Sequence, residues 1–262
     1  MIVDAHCHVS LKWYEPVDTL LFQMDRCGVE RACLVQMLGE FDNSYQSACV
    51  ARHPDRLMSI AGIDAGADDA LTKVQSAIDV GARGLRLRPD MRSKGDDPLA
   101  IWRMAEQAGL PVSCVGPATS FVAAAFAALV ESVPRLKIVL EHLGGLARPD
   151  FDRSEHVLTH VLALARYPNL LLKVPGLGQL QARKARMPID GSPYEDDGLS
   201  LLARALDAFG ADRLMWGSDF PPVSSREGYA NALAGPRRQF SDLPAEQQDA
   251  IFGGTALATF WH

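Results

Sequence analysis

The sequence has no excess of positive charge. Its 26 lysine and arginine residues are outnumbered by 32 aspartate and glutamate residues, which gives a formal net charge of −6. A chain without a basic field has no general attraction for a phosphate backbone or an anionic bilayer. We therefore expect a small-molecule substrate as its partner, and neither nucleic acid nor a membrane.

Cysteines and long apolar runs are also scarce. The five cysteines are odd in number, scattered and never spaced as CxxC, which predicts reduced thiols. No stretch approaches the roughly 18 uninterrupted apolar residues of a membrane span. The first residues show no basic region followed by an apolar one. These absences predict a cytoplasmic protein and leave a homo-oligomer open.

Internal repeats, low-complexity tracts and linkers rich in proline or glycine are absent as well, so we predict one domain over residues 1–262. Within it, eight short apolar runs alternate with segments of helical character. The runs are Ile2–His8, Ala32–Gln36, Leu57–Ile63, Gly84–Arg88, Pro111–Val115, Lys137–His142, Leu170–Val174 and Arg213–Gly217. Such runs are typical of parallel strands buried on both faces. Eight of them predict an α/β fold, a single (β/α)8 TIM barrel, with an open doubly wound sheet as the alternative.

Apolar residues at helical spacing predict the connecting helices. These cover Pro16–Cys27, Ala67–Val80, Pro98–Ala108, Phe121–Ser132, Ser154–Ala165 and Leu199–Phe209. Gly28, Gly81, Gly109 and Gly210 stand where a left-handed residue commonly ends a helix. The segment Ile251–His262 predicts a last amphipathic helix that closes the barrel.

Two histidines, His6 and His8, occupy alternate positions of the first predicted strand. Alternation places both imidazoles on one face, and the inward face of a barrel is normally apolar. The pair therefore predicts either metal ligands or a clamp that hydrogen-bonds a substrate oxygen. The alternative interpretation is that the rings bond neighbouring carbonyl groups.

His142 and Asp219 stand at the ends of two later strands. His142 precedes two glycines that allow close approach of the backbone, and Asp219 lies in a turn with two prolines. His142 is a candidate general acid or base, or a residue that bonds a loop carbonyl. Asp219 is a candidate base or metal ligand, or a helix cap. In a closed barrel, strands one, six and eight end at the same cavity, which favours the functional interpretation.

The motifs that carry these residues, DAHCH, EHLGG and GSDFPP, resemble those of the amidohydrolase superfamily. The resemblance is to its amidohydrolase-2 branch of TIM-barrel hydrolases, lactonases and decarboxylases, and it extends over essentially the whole chain. It implies that His6 and His8 are the first-strand pair and His142 the sixth-strand histidine. Asp219 would be the acid or base of the eighth strand.

Strands four and five depart from this pattern. Members of the family with a firmly held metal supply a histidine or a carboxylated lysine from the middle strands, whereas Gly84–Arg88 and Pro111–Val115 contain neither. Alternation lets only one of Ser113 and Cys114 face inward, and the sequence leaves open which. The missing ligand makes the chain more similar to the lactonase group, in which metal dependence varies, than to the metal-dependent decarboxylases.

Three protein ligands and a water suffice for a catalytic zinc ion. The resemblance therefore implies a divalent metal, zinc by preference, held by His6, His8 and Asp219 with help from His142. Hydrolysis without a metal stays open.

Four further residues are candidates for substrate binding. Arg86 and Arg88 share a face at the end of strand four, where a guanidinium can bind a carboxylate through two hydrogen bonds. Arg226 and Tyr229 lie near the same rim. A salt bridge at the barrel rim is the alternative for Arg86 and Arg88. The irregular segment 176–197 is a candidate lid or a plain surface excursion.

Together these residues predict an enzyme that hydrolyses a lactone or related cyclic ester of a small carboxylated or hydroxylated molecule. Asp219 would deprotonate water, and the histidines, or a metal that they hold, would polarise the carbonyl group. The alternatives are metal-dependent non-oxidative decarboxylation on the same scaffold and non-catalytic binding of a small molecule.

Overall fold

Eight parallel strands form a barrel in the computed structural model, which describes residues 1–147, 152, 154–181, 184–186, 194 and 199–261. Each strand is hydrogen-bonded to the next in chain order. The strands are β1 (Val3–Cys7), β2 (Arg31–Val35), β3 (Leu57–Gly62), β4 (Ala82–Leu87), β5 (Val112–Cys114), β6 (Ile138–Leu140), β7 (Leu170–Val174) and β8 (Leu214–Trp216). Each overlaps its predicted run, and the single (β/α)8 barrel is confirmed.

Helices follow the strands around the outside of the barrel. They are α1 (Val17–Cys27), α2 (Ser44–Arg52), α3 (Ala70–Asp79), α4 (Ala100–Gln107), α5 (Ala118–Phe121), α6 (Ala124–Ser132), α7 (Glu155–Ala163), α8 (Leu199–Phe209), α9 (Tyr229–Gln239), α10 (Ala245–Asp249) and α11 (Thr255–Phe260). Helix α2 has no counterpart among the predicted helices, because only Gln46 and Cys49 of its residues are buried and its apolar pattern is weak. The predicted helix Phe121–Ser132 is two helices, α5 and α6.

The barrel closes between β1 and the turn that follows β8. The backbone N–H of Asp219 donates to the carbonyl of His6 at 2.8 Å, and that of His8 donates to the carbonyl of Phe220 at 2.7 Å. A side chain at Gly217 would collide here, since its Cβ would lie 2.6 Å from the Cβ of His6. The closure therefore places the first-strand histidines directly beside Asp219.

Apolar side chains fill the interior of the barrel toward the N-terminal ends of the strands. The inward cluster includes Val3, Met58, Ile60, Val139 and Met215, and it packs against Ala256 and Phe260 of α11. The predicted closing helix is thus confirmed in place, although a π-helical turn over Ala250–Gly254 precedes α11 and residue 262 lies outside the described part. A larger apolar cluster lies between the strands and the surrounding helices.

Among the described helices, none combines the length and apolar character that a bilayer crossing requires.

Candidate active site

A cavity of about 820 Å³ opens at the C-terminal ends of the strands. Six of the predicted site residues line it: His8, Arg86, Arg88, His142, Asp219 and Arg226. Barrels of this type carry their active sites at the same end. His6 lies beneath the cavity and is 2% exposed.

His6 and His8 both face the barrel interior, as alternation predicted, while Cys7 between them packs into the outer apolar cluster. The two imidazole centroids are 4.8 Å apart. Their Nε2 atoms lie 3.6 Å and 3.5 Å from Oδ1 of Asp219. The first-strand pair and the eighth-strand carboxylate thus form one compact cluster of ligand-type atoms.

The Nδ1 atoms of His6 and His8, which point away from Asp219, have different hydrogen-bond partners. Nδ1 of His8 lies 2.6 Å from the carbonyl oxygen of Val35. Because a carbonyl only accepts, that nitrogen carries the hydrogen, and the neutral ring has its lone pair on Nε2. Nδ1 of His6 instead lies 2.9 Å from Nζ of Lys173. Burial first, and then the charge of Lys173, hold the pKa of His6 well below its ordinary value.

His142 and Asp219 adopt backbone conformations that are rare outside glycine. Their φ angles are 51° and 59°, and Leu143 has a φ of 57°. Such residues cost on the order of 1–3 kcal/mol each and persist where the surrounding structure holds them. Beyond His142, a Cβ at Gly145 would lie 2.4 Å from the backbone nitrogen of Ala118, so the predicted close approach of backbone is present.

The carboxylate of Asp219 has one engaged oxygen and one directed at the histidines. Oδ2 accepts hydrogen bonds from Gln179 Nε2 at 2.5 Å and from Arg226 Nη1 at 2.9 Å. Burial by itself raises the pKa of Asp219, but His8, His142 and His6 outweigh it and hold that pKa well below its usual range. Asp219 is ionised at neutral pH, because both partners of Oδ2 are hydrogen-bond donors and one of them is the guanidinium of Arg226, while Oδ1 faces the histidines.

A buried polar network that the sequence did not predict lies under the histidines. Glu141 accepts hydrogen bonds from Arg86 Nε at 3.1 Å, Arg86 Nη2 at 2.6 Å and Ser113 Oγ at 2.6 Å. Lys173 Nζ donates to Ser113 Oγ at 2.7 Å and reaches His6. Ser113 is thus the inward residue of β5, and Cys114 packs in the outer core. The sequence feature that could have indicated Lys173 is its place as a lone lysine within an apolar run. For Glu141 the feature is the histidine that follows it.

The network holds one carboxylate and two basic side chains. Burial by itself raises the pKa of Glu141, but Arg86 and then Lys173 reverse the effect and hold that pKa well below its usual value. Burial lowers the pKa of Lys173, while Glu141 opposes that shift. Removal of Arg86 or Glu141 would leave the other charge buried without its partner, so these two residues act as a unit.

Within the part of the chain that the structure describes, two groups of side chains have the composition and spacing to hold a metal ion. His6, His8 and Asp219 form one, and His6, Glu141 and His142 form the other, with ligand atoms within 4.8 Å of one another. Nε2 of His6 is buried and has no hydrogen-bond partner among the described residues. The first group fits a divalent ion, because two imidazoles and one carboxylate are a three-ligand set that zinc accepts. The ammonium of Lys173 behind His6 opposes such binding, since a His6 metallated at Nε2 carries its hydrogen on Nδ1.

The predicted substrate-binding residues divide into two groups. Arg86, Arg88 and Arg226 line the cavity. Tyr229 does not: it is 2% exposed, and its hydroxyl donates to Oδ2 of Asp4 at 2.9 Å. Its prediction as a substrate contact is therefore corrected to a structural role, because α9 turns the ring inward behind β1 and β8.

The predicted lid lies only partly within the described residues. Leu177–Gln179 forms a short 3₁₀ helix, and Tyr194 is buried. Residues 182–183, 187–193 and 195–198 lie outside the described part. Gly178 and Gln179 belong to the cavity lining, so the beginning of this segment reaches the site.

A model of the Amidohydrolase family matches residues 3–260. Two curated relatives, from Burkholderia multivorans and Burkholderia ambifaria, are each named L-fucono-1,5-lactonase. The first is 34% identical over 47% of this chain and only 42% of that protein. The second is 28% identical over 97% of this chain and 93% of that protein.

Solved structures with the same fold carry different activities in their names. An amidohydrolase from Burkholderia multivorans with bound zinc is 19% identical, with a TM-score of 0.77 over 99% of this chain and 98% of that one. A probable 2-pyrone-4,6-dicarboxylic acid hydrolase from Acinetobacter baumannii is 19% identical, with a TM-score of 0.77 over 100% and 99%. A 2,6-dihydroxybenzoate decarboxylase from Rhizobium is 17% identical, with a TM-score of 0.63 over 99% and 98%. At these identities the likeness shows the fold alone.

Proposed function

Because the chain belongs to the amidohydrolase family, we propose that it hydrolyses a lactone, and that this lactone is a neutral, hydroxylated molecule. The observation that carries the proposal is the position of Asp219. Its Oδ2 is engaged by Gln179 and Arg226, and its Oδ1 faces His6 and His8 at the cavity. An ionised carboxylate with one oxygen held by two donors and the other directed at the histidines is suited to take a proton from water.

The reaction consumes one water. The water oxygen attacks the lactone carbonyl carbon while Oδ1 of Asp219 takes a proton, and the carbonyl oxygen becomes an oxyanion. When the tetrahedral intermediate collapses, the ring C–O bond breaks, and the departing oxygen receives the proton back from Asp219. The product is the open-chain hydroxy acid. His6, with the ammonium of Lys173 at its Nδ1, would carry its hydrogen on Nε2 and donate it to the carbonyl oxygen, which would stabilise the developing negative charge. His142 would help to orient the substrate.

A divalent metal, which we propose to be zinc, would be held by His6, His8 and Asp219. When bound, it would supply Lewis acid chemistry that polarises the carbonyl and lowers the pKa of water. The three-ligand cluster supports this proposal, and so does the zinc in the amidohydrolase from Burkholderia multivorans.

The charges around the cavity support a substrate without a carboxylate. Each arginine of the described lining is already paired: Arg86 with Glu141, Arg88 with Asp90 and Arg226 with Asp219. A carboxylated substrate would have to displace one of these partners to gain a bidentate ion pair. A hydroxylated lactone needs only hydrogen-bond donors and acceptors, and the names of the two Burkholderia relatives agree with such a ring.

The thiols support a reducing location. All five cysteines are free, and four of them, Cys7, Cys33, Cys49 and Cys114, are buried. A chain that keeps its thiols unpaired is suited to the cytoplasm, which we propose as its compartment.

The test is to offer the protein a panel of neutral sugar-acid lactones and carboxylated lactones. Hydrolysis is measured as the release of protons in weakly buffered solution. We expect hydrolysis of neutral lactones, and a fall in kcat of about 100-fold or more for Asp219→Asn, as for loss of a general base. Asp242→Asn is the control, because Asp242 is exposed and remote from the cavity lining. Full activity of Asp219→Asn would remove the proposed base.

Decarboxylation is the second candidate, and the metal-ligand cluster is the observation that favours it. In that reaction a metal would hold the substrate carboxylate, and His142 would handle a proton. Release of carbon dioxide from a hydroxybenzoate by the metal-loaded protein, without lactone hydrolysis, would replace the first proposal with this one.

A further inference from the structure

The amide of Gln179 bridges two residues of the site. Its Nε2 donates to Oδ2 of Asp219 at 2.5 Å, and its Oε1 lies 3.0 Å from Nδ1 of His142. An ionised carboxylate only accepts hydrogen bonds, so the NH₂ group of the amide must face Asp219. The amide oxygen therefore faces His142, and Nδ1 of His142 must carry a hydrogen.

This bridge determines which atoms of His142 and Asp219 can interact with substrate. A neutral His142 with its hydrogen on Nδ1 has its lone pair on Nε2. Asp219 directs Oδ1 toward His6 and His8, because Oδ2 is occupied by Gln179 and Arg226. Gln179 thus fixes the tautomer of His142 and shares with Arg226 the orientation of Asp219.

The backbone around Gln179 is built to hold this position. A Cβ at Gly176 would lie 2.1 Å from Glu227 Oε1, and a Cβ at Gly178 would lie 1.8 Å from Glu227 Oε2. Only glycine lets this turn approach the carboxylate so closely. Glu227 is 5% exposed, and the turn that carries Gln179 therefore packs against a buried group.

We propose that Gln179 is a positioning residue, which holds His142 in the Nδ1–H tautomer and directs Oδ1 of Asp219 toward the substrate. The proposal rests on the proposed hydrolysis for its kinetic part only. The tautomer of His142 is a property of the free protein, whatever its substrate.

Two variants and one control separate the roles of the bridge. Gln179→Met keeps the volume and removes both hydrogen bonds. Gln179→Glu keeps an acceptor for His142 but loses the donor to Asp219. Gln181→Met is the matched control, because Gln181 lies in the same segment and its side-chain amide has no hydrogen-bond partner among the described residues.

The first readout is the tautomer of His142, taken from ¹⁵N shifts of labelled histidine in the presence of a chelator. The His142 signal is identified by its loss in His142→Asn. We expect Nδ1–H in the wild type, in Gln181→Met and in Gln179→Glu, and a mixed or reversed pattern in Gln179→Met. An unchanged Nδ1–H pattern in Gln179→Met would overturn the proposal.

The second readout is lactone hydrolysis. We expect kcat of Gln179→Met to fall by about 10- to 100-fold, the usual cost of losing a residue that orients a site histidine, with KM changed by less than about threefold. Gln181→Met should match the wild type. A kcat for Gln179→Met equal to that of Gln181→Met would overturn the proposal. If the wild type hydrolyses no lactone, the proposed function fails, and the tautomer measurement still decides the role of Gln179.

Discussion

Arg86 and Glu141 form a buried bidentate ion pair across the barrel, although 55 residues separate them in the chain. Nη1 of the same guanidinium donates to the carbonyl oxygen of Gln36 at 2.8 Å. Arg86 therefore supports the floor of the cavity, and Glu141 in turn receives Ser113 and, through it, Lys173.

Substitution of Arg86 should be costly for stability. Arg86→Met leaves the Glu141 carboxylate buried without its partner, and we expect the free energy of unfolding to fall by about 3–5 kcal/mol. Urea denaturation measures the loss. Arg88→Met is the control, since its pair with Asp90 is exposed and should contribute no more than about 1 kcal/mol. Equal losses in the two variants would contradict the assigned role of Arg86.

Removal of the Arg88 partner should widen substrate choice. Asp90→Asn frees the guanidinium at the cavity rim, and we expect kcat/KM for a carboxylated lactone to rise by about two- to fivefold, the scale of an exposed ion pair. Steady-state kinetics on matched neutral and carboxylated lactones measure the change. The value for the neutral lactone should stay constant, and a parallel rise for both would argue against charge selection.

Lys173 should weaken metal binding. Its ammonium lies 2.9 Å from Nδ1 of His6, where a metallated imidazole would carry its hydrogen. We expect Lys173→Met to bind zinc at least about tenfold more tightly than the wild type, a gain of about 1.4 kcal/mol. Competition with a chromophoric chelator measures the affinity. Lys137→Met, at an exposed lysine bonded to the carbonyl of Ala258, is the control, and a weaker zinc affinity in Lys173→Met would refute the expectation.

Stability should decline as pH falls below the ordinary histidine range. Burial lowers the pKa of His6 and of His142 from 6.5 in the folded protein, so below this value the unfolded chain binds protons that the folded chain does not. The stability that these two histidines contribute is therefore fully present above pH 6.5. As the pH drops below that value, the free energy of unfolding should fall by up to about 1.4 kcal/mol per pH unit for each histidine. Urea denaturation in chelator, at about pH 7.5 and about pH 5.5, measures the slope.

The same experiment on two variants identifies the groups responsible. His142→Asn should reduce the slope, because one of the two histidines with a lowered pKa is gone. His156→Asn should leave it unchanged, because that side chain is exposed on α7. An unchanged slope in His142→Asn would show that other groups control the acid sensitivity.

Tyr229 should matter for stability and not for substrate affinity. Tyr229→Phe removes the hydroxyl that donates to Asp4, and we expect a loss of about 1–2 kcal/mol in the free energy of unfolding. KM for the lactone should stay within error of the wild type. A raised KM at unchanged stability would restore the original interpretation of this residue as a substrate contact.

The sequence by itself determined the barrel and the central residues of the site. Eight apolar runs with helices between them leave few other arrangements, because each run must be buried on both faces. His6 and His8 share a face through the two-residue period of a strand, and Asp219 follows the last strand directly. These are local properties, and local rules sufficed to predict them.

Only the tertiary structure decided how the charges are used. The sequence left Arg86 open between substrate binding and a salt bridge, and the structure pairs it with Glu141. Lys173 was one residue of an apolar run, and the barrel directs it toward His6. The choice of Ser113 over Cys114 and the inward turn of Tyr229 depend in the same way on partners far along the chain. The physical reason is that the packing of the whole barrel sets the partner of a buried polar group. Strand periodicity predicts which face a side chain lies on, but it does not predict that partner.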